Sequence, residues 1–146
     1  GSVKIKATKL YWSVQAMSII PTIDDKTAVK IAKTYLKQNH DYSLITKRLT
    51  FKNANYITAK DETTHSMALY ELKERENIIN RVKQHDLTSG LIIEYRFIKC
   101  YSVNRTLEKL QQQGMKISER TLQKKQHEAL LLVYSLIPDK DTKLVK

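Results

Sequence analysis

At 146 residues the chain suits one domain, or one small domain with a helical extension. Three glycines and two prolines leave few breakers among many Lys, Leu, Gln and Glu, so the expected fold is all-α. A net charge of +11 favours a polyanionic partner, nucleic acid first, and no apolar run approaches membrane-spanning length.

The charge is uneven. Residues 1–60 carry 11 Lys/Arg against 3 Asp/Glu, residues 61–86 carry 4 against 6, and residues 87–146 carry 11 against 6. Cys100 is alone, so no internal disulfide forms, which fits a reducing cytoplasm. It lies in an apolar stretch and reads as a core residue. His40, His65, His85 and His127 are scattered without metal-ligand spacing, so neither metal nor cofactor is expected. Gly1-Ser2 has the look of a tag-cleavage scar, and no signal peptide is visible.

In chain order, residues 8–19 suggest a short helix with Leu10, Tyr11, Val14 and Met17 on one face, stopped by Pro21. Thr22, Asp24 and Asp25 then offer caps for a helix over roughly 24–38. Its apolar positions are Ala28, Ile31, Ala32, Tyr35 and Leu36, and its other face carries Lys26, Lys30, Lys33 and Lys37. That row reads either as a solvated face or as one that tracks phosphates. Residues 41–60 fit a helix or a short hairpin around Asn53-Ala54-Asn55, with helix preferred.

Residues 62–86 read as one long charged helix. Met67, Tyr70, Leu72, Ile78, Ile79 and Val82 form its apolar stripe, the candidate face for a homodimer, and Glu71 and Arg75 sit four apart in the favourable order. Asp86 to Gly90 is a polar break, from which Thr88 or Ser89 caps an apolar helix at about 89–99. Ser102 caps the next, at about 103–112, with Val103, Leu107 and Leu110 inward. Gly114 ends it, where a left-handed backbone is cheap. Residues 138–146 form a breaker and a charged tail expected to be disordered. The resulting division is an N-terminal helical region (1–60), a linking or oligomerisation helix (61–86), a helix-turn-helix domain (87–137) and the tail.

The last three helices carry the functional reading. Gly114-Met115-Lys116-Ile117 makes the turn, with Met115 and Ile117 plugging the core, and Ser118 caps a helix suited to the major groove. Leu122, Ala129, Leu130, Val133 and Ile137 face inward. Glu119, Arg120, Gln123, Lys124 and His127 face outward, flanked by Thr121 and Lys125. Arg reads guanine and Gln reads adenine through paired hydrogen bonds. Lys116, Lys124, Lys125 and Arg105 suit phosphates, which position without specifying. The competing reading is a structural helical pair with a polar outer face. Glu119 weakens the DNA reading, because a carboxylate repels phosphate unless it accepts from cytosine.

Three short motifs go further: Ile93-Glu94-Tyr95-Arg96-Phe97, Ile117-Ser118-Glu119-Arg120-Thr121 and Glu128-Ala129-Leu130. On these, Gly90 to Ile137 resembles region 4 of bacterial sigma factors, and more closely the ArpU/RinA-type phage transcriptional regulators. The long charged helix is similar in placement. The chain departs from the pattern at Asn104-Arg105-Thr106, where such domains carry a more apolar first helix. The resemblance implies a cytoplasmic phage or prophage protein in a bacterial host. It would activate late genes from a promoter-proximal site, with double-stranded DNA and RNA polymerase as partners. A small terminase subunit for DNA packaging and a protein-binding module acting on polymerase are the alternatives. No P-loop, His-Glu-x-x-His, Gly-x-Ser-x-Gly or Cys-x-x-Cys motif is present, and no enzyme is expected.

Overall fold

The computed structural model describes residues 24–50 and 56–138, and the expected helix at 8–19, the turn at 53–55 and the tail from 139 lie outside them. Asp24 opens the described chain by accepting from the Thr27 amide at 2.7 Å, so the first helix, α1, runs Asp25–Thr50. It continues well past residue 38 because the apolar spacing persists through Tyr42, Ile45 and the buried Leu49. Residues 41–50 are therefore helical.

α2 spans Ala59–His85 and starts with a capping box between Thr58 and Asp61, each side chain accepting the other's amide at 3.1 Å. Asp86 alone turns the corner. Its amide donates to Val82 at the end of α2, and its carbonyl accepts from Gly90 in α3, Leu87–Ile93. The expected break at 86–90 is thus one residue long, and Gly90 lies inside a helix. A Cβ there would stand 2.3 Å from Lys83 Cγ and 2.8 Å from the Lys83 backbone, so α2 and α3 meet where only glycine fits.

α3 widens into a π-helical turn at Glu94–Ile98, closed by the Lys99 amide on the Glu94 carbonyl at 3.0 Å. The helix ends there, and residues 99–102 form a loop to the next one. Cys100, expected in the core, is exposed and takes a left-handed backbone with φ 59°. α4 then runs Val103–Gln112 and α5 Glu119–Leu136. Among the described residues the chain is all-α, with no strand.

Two apolar clusters organise these helices. The larger joins Ala28, Ala32, Tyr35 and Leu36 of α1 to Ile78, Ile79 and Val82 of α2, Phe97 of the π turn, and Leu130, Val133 and Ile137 at the far end of α5. The smaller gathers Leu91 and Ile92 of α3, Leu110 of α4 and Leu122 of α5, with Met115 and Ile117 of the turn packed against it. α3 and α5 contribute to both, α3 through Ile93 in the larger and Leu91 and Ile92 in the smaller.

α2 buries the second half of the stripe expected of it, Ile78, Ile79 and Val82, but not the first. Met67 is 44% and Tyr70 59% exposed, while Ala68 and Arg75 are buried with Ile78, Ile79 and Val82. Arg75, expected on the charged outer face, is only 1% exposed. Its Nε donates to the Tyr35 carbonyl at 2.7 Å, Nη1 to the Glu71 carbonyl and carboxylate, and Nη2 to Gln38 Oε1 at 2.8 Å. The guanidinium also lies 3.8 Å from the centroid of the Tyr35 ring. A buried charge is tolerable only when paired in this way, so the clasp fixes α1 against α2. Burial pushes the Tyr35 hydroxyl up to about 12 against the opposing pull of Arg75, so it stays protonated at ordinary pH.

Candidate nucleic-acid interface

α4, the six-residue connection 113–118 and the start of α5 are held by local rules. Ser102 Oγ accepts from the Arg105 amide at 3.1 Å and so caps α4. At its end the amides of Gly114 and Met115 return to Gln111 and Leu110 at 2.9 Å, and Gly114 has φ 86°. Ser118 Oγ then accepts from the Thr121 amide at 3.1 Å and donates to Thr121 Oγ1 at 3.0 Å. The Ser118 hydroxyl therefore caps the helix, and the Thr121 hydroxyl is engaged with it at the border of the outer face.

From this start, α5 separates two arcs. Leu122, Gln126, Ala129, Leu130 and Val133 turn inward and are buried. Arg120, Gln123, Lys124 and His127, spaced three and four apart, share the opposite arc and are exposed, as are Glu119 at the helix start and Lys116 in the turn. Residues 116–128 hold four basic side chains (Lys116, Arg120, Lys124, Lys125) against two acidic ones (Glu119, Glu128), so the surface is net positive.

Lys125 is not free at the flank. Its Nζ donates to Asp86 Oδ2 at 2.9 Å, and Ser89 Oγ donates to the same oxygen at 2.6 Å. The Ser89 hydroxyl, with Lys125 behind it, holds the Asp86 carboxyl below its usual value. The pair ties the first half of α5 to the α2–α3 corner. Arg105 is exposed on the first turn of α4, with its guanidinium 4.6 Å from the centroid of the Tyr101 ring. Tyr101 in turn stacks on Tyr95 at 5.7 Å, and the Tyr95 hydroxyl accepts from Gln113 Nε2 at the turn.

One support was missed by sequence reasoning. Arg96 Nε donates to Gln126 Oε1 at 3.2 Å, and its Nη1 donates to the Tyr101 carbonyl at 2.7 Å. This strut connects the π turn to the middle of α5. Its signal was the helical register, since Gln126 falls four residues after Leu122 and four before Leu130 on the buried arc. A polar residue on that arc requires a polar partner.

Among the described residues no group of three His, Cys, Asp or Glu could hold a metal ion, and no helix is long and apolar enough to cross a membrane. No family model matches the chain, and no curated protein or solved structure matches it either.

Proposed function

We propose that the protein is a sequence-specific duplex-DNA-binding transcriptional regulator, an activator that reads DNA with the first half of α5. The observation that carries the reading is the exposed arc of Arg120, Gln123, Lys124 and His127 on a helix whose opposite arc is sealed in both apolar clusters. A helix in the major groove needs this combination, because base-edge hydrogen bonds discriminate only when the backbone carrying them is fixed. Arg120 and Gln123 supply the bidentate donors and acceptors for bases. Lys116, Lys124 and Arg105 supply charge for phosphates, and Lys125 orients the helix through Asp86. Contact with RNA polymerase, action on phage or prophage late genes and a cytoplasmic setting in a bacterial host come from the family resemblance of Gly90 to Ile137.

A second reading, a small terminase subunit, draws on the exposed Met67, Leu69 and Tyr70 of α2, which offer an apolar face for self-association. A ring-sized oligomer in light scattering would favour it.

The test of the DNA reading is fluorescence anisotropy on duplex DNA across a salt series, for wild type and for Arg120→Glu/Lys124→Glu. The expected result is binding whose log affinity falls by about 0.9 per log salt for each phosphate neutralised, and its loss in the variant. Binding unchanged in the variant would remove α5 as the DNA surface. A flat salt response would count against DNA altogether, and capture of RNA polymerase by the same variant would favour a protein-binding module.

A further inference from the structure

α1 buries Ala28, Ala32, Tyr35 and Leu36 in the larger cluster, which fixes its backbone and its rotation. Lys26, Lys30, Lys33 and Lys37 then fall at intervals of four, three and four residues along the outer side. At 1.5 Å rise per residue they form a straight row about 16 Å long. Lys26, Lys30 and Lys37 are exposed and Lys33 is half-buried. Each lysine has another lysine three or four positions away, Lys37 having Asp41 as well, and like charges at this spacing destabilise a helix. Carboxylates lie at both ends of the row, Asp24 and Asp25 before Lys26 and Asp41 four residues after Lys37. Among the described residues the ion pairs fall on Lys73, Arg75, Lys83 and Lys125, and none falls on the row. Among the described residues the row is therefore not used by any ion pair of the fold.

We infer that the Lys26–Lys30–Lys33–Lys37 row of α1 is a second DNA surface, which follows the phosphate backbone of duplex DNA without reading sequence. A linear, regularly spaced set of ammonium groups on a rigid helix matches a linear array of phosphates. Lysine, a flexible point charge, suits contacts that position without specifying. The row would add affinity and salt dependence to the reading by α5. The inference rests on the duplex-DNA reading above, and the two fail differently.

The experiment compares wild type with Lys30→Gln/Lys37→Gln and with a control, Lys73→Gln/Arg81→Gln, which removes the same net charge from α2. Circular dichroism checks that each variant keeps its helix content, and anisotropy on random-sequence duplex DNA gives the slope of log affinity against log salt. The expected result is a slope shallower by about 1.8 in the α1 variant, from two phosphates at about 0.9 each, and near wild type in the control. Equal slopes in the α1 variant and the control would overturn the inference while leaving the α5 reading intact. No binding by wild type would overturn both. Anionic phospholipid vesicles are the second probe: vesicle binding lost in the α1 variant, with its DNA slope unchanged, would assign the row to a membrane surface and overturn the inference.

Discussion

In the second half of α5, Leu130, Val133 and Ile137 are sealed against α1 and α2, whereas in the first half Leu122 and Gln126 turn inward and Arg120, Gln123, Lys124 and His127 meet solvent. The same helix thus belongs to two environments. Its far half contributes apolar area to the larger cluster. Its near half sits on the smaller cluster of Leu91, Ile92, Leu110 and Leu122, and is braced by polar ties from Arg96 and Lys125. The comparison teaches how a chain of this size presents a polar helix face rigidly. It anchors the helix at one end in the main core and steers the other with a few directed hydrogen bonds.

The halves should therefore respond differently to substitution. The largest effect is expected at Arg75, which clasps together α1 and α2, the helices against which the anchored half packs. Arg75→Ala leaves the Tyr35 carbonyl, Gln38 and Glu71 without their cation and should cost about 3–5 kcal/mol in urea unfolding. Arg120→Ala, on the exposed arc, should stay within about 0.5 kcal/mol. A cost below about 1 kcal/mol at Arg75 would contradict the clasp.

A smaller effect sharpens the boundary between the halves. Asp86 has a folded pKa below its ordinary 3.8, set first by Ser89 and then by Lys125. Its contribution is present above the unfolded value and is lost as pH falls through the lowered folded value. Relative to Asp86→Asn, the wild type should therefore keep its advantage at neutral pH and lose it only below pH 3.8. The advantage is small because the pair is partly exposed, and an exposed ion pair is worth about 1 kcal/mol at most. Unfolding curves for both proteins at pH 3 and pH 7 check this. An advantage that persisted unchanged at pH 3 would contradict it.

What was legible in the sequence was local. The bounds of α4, the left-handed Gly114 and the Ser118 cap follow from residues within four positions of one another, and the buried arc of α5 follows from its spacing. What was not legible depended on distant partners or on one irregular turn. Arg75 looks like any surface charge until Tyr35, 40 positions away, brings a carbonyl to it. Met67 and Tyr70 match a helical stripe, yet in that part of α2 the buried positions are Ala68 and Arg75 instead. Cys100 sits in an apolar run, but the helix ends at Ile98 and leaves it exposed in the connecting loop with a left-handed backbone. Lys125 has the composition of a phosphate ligand, and its pairing with Asp86 spans 39 positions.

The most direct test of the central claim is residue-resolved amide NMR during titration with duplex DNA. The account predicts the largest shifts at residues 116–127, the turn and the exposed half of α5, with weaker ones along the Lys26–Lys37 row of α1, and small changes at 129–137, where the helix is sealed. Saturable binding with residues 116–127 unmoved and the shifts confined to the exposed face of α2 would contradict it.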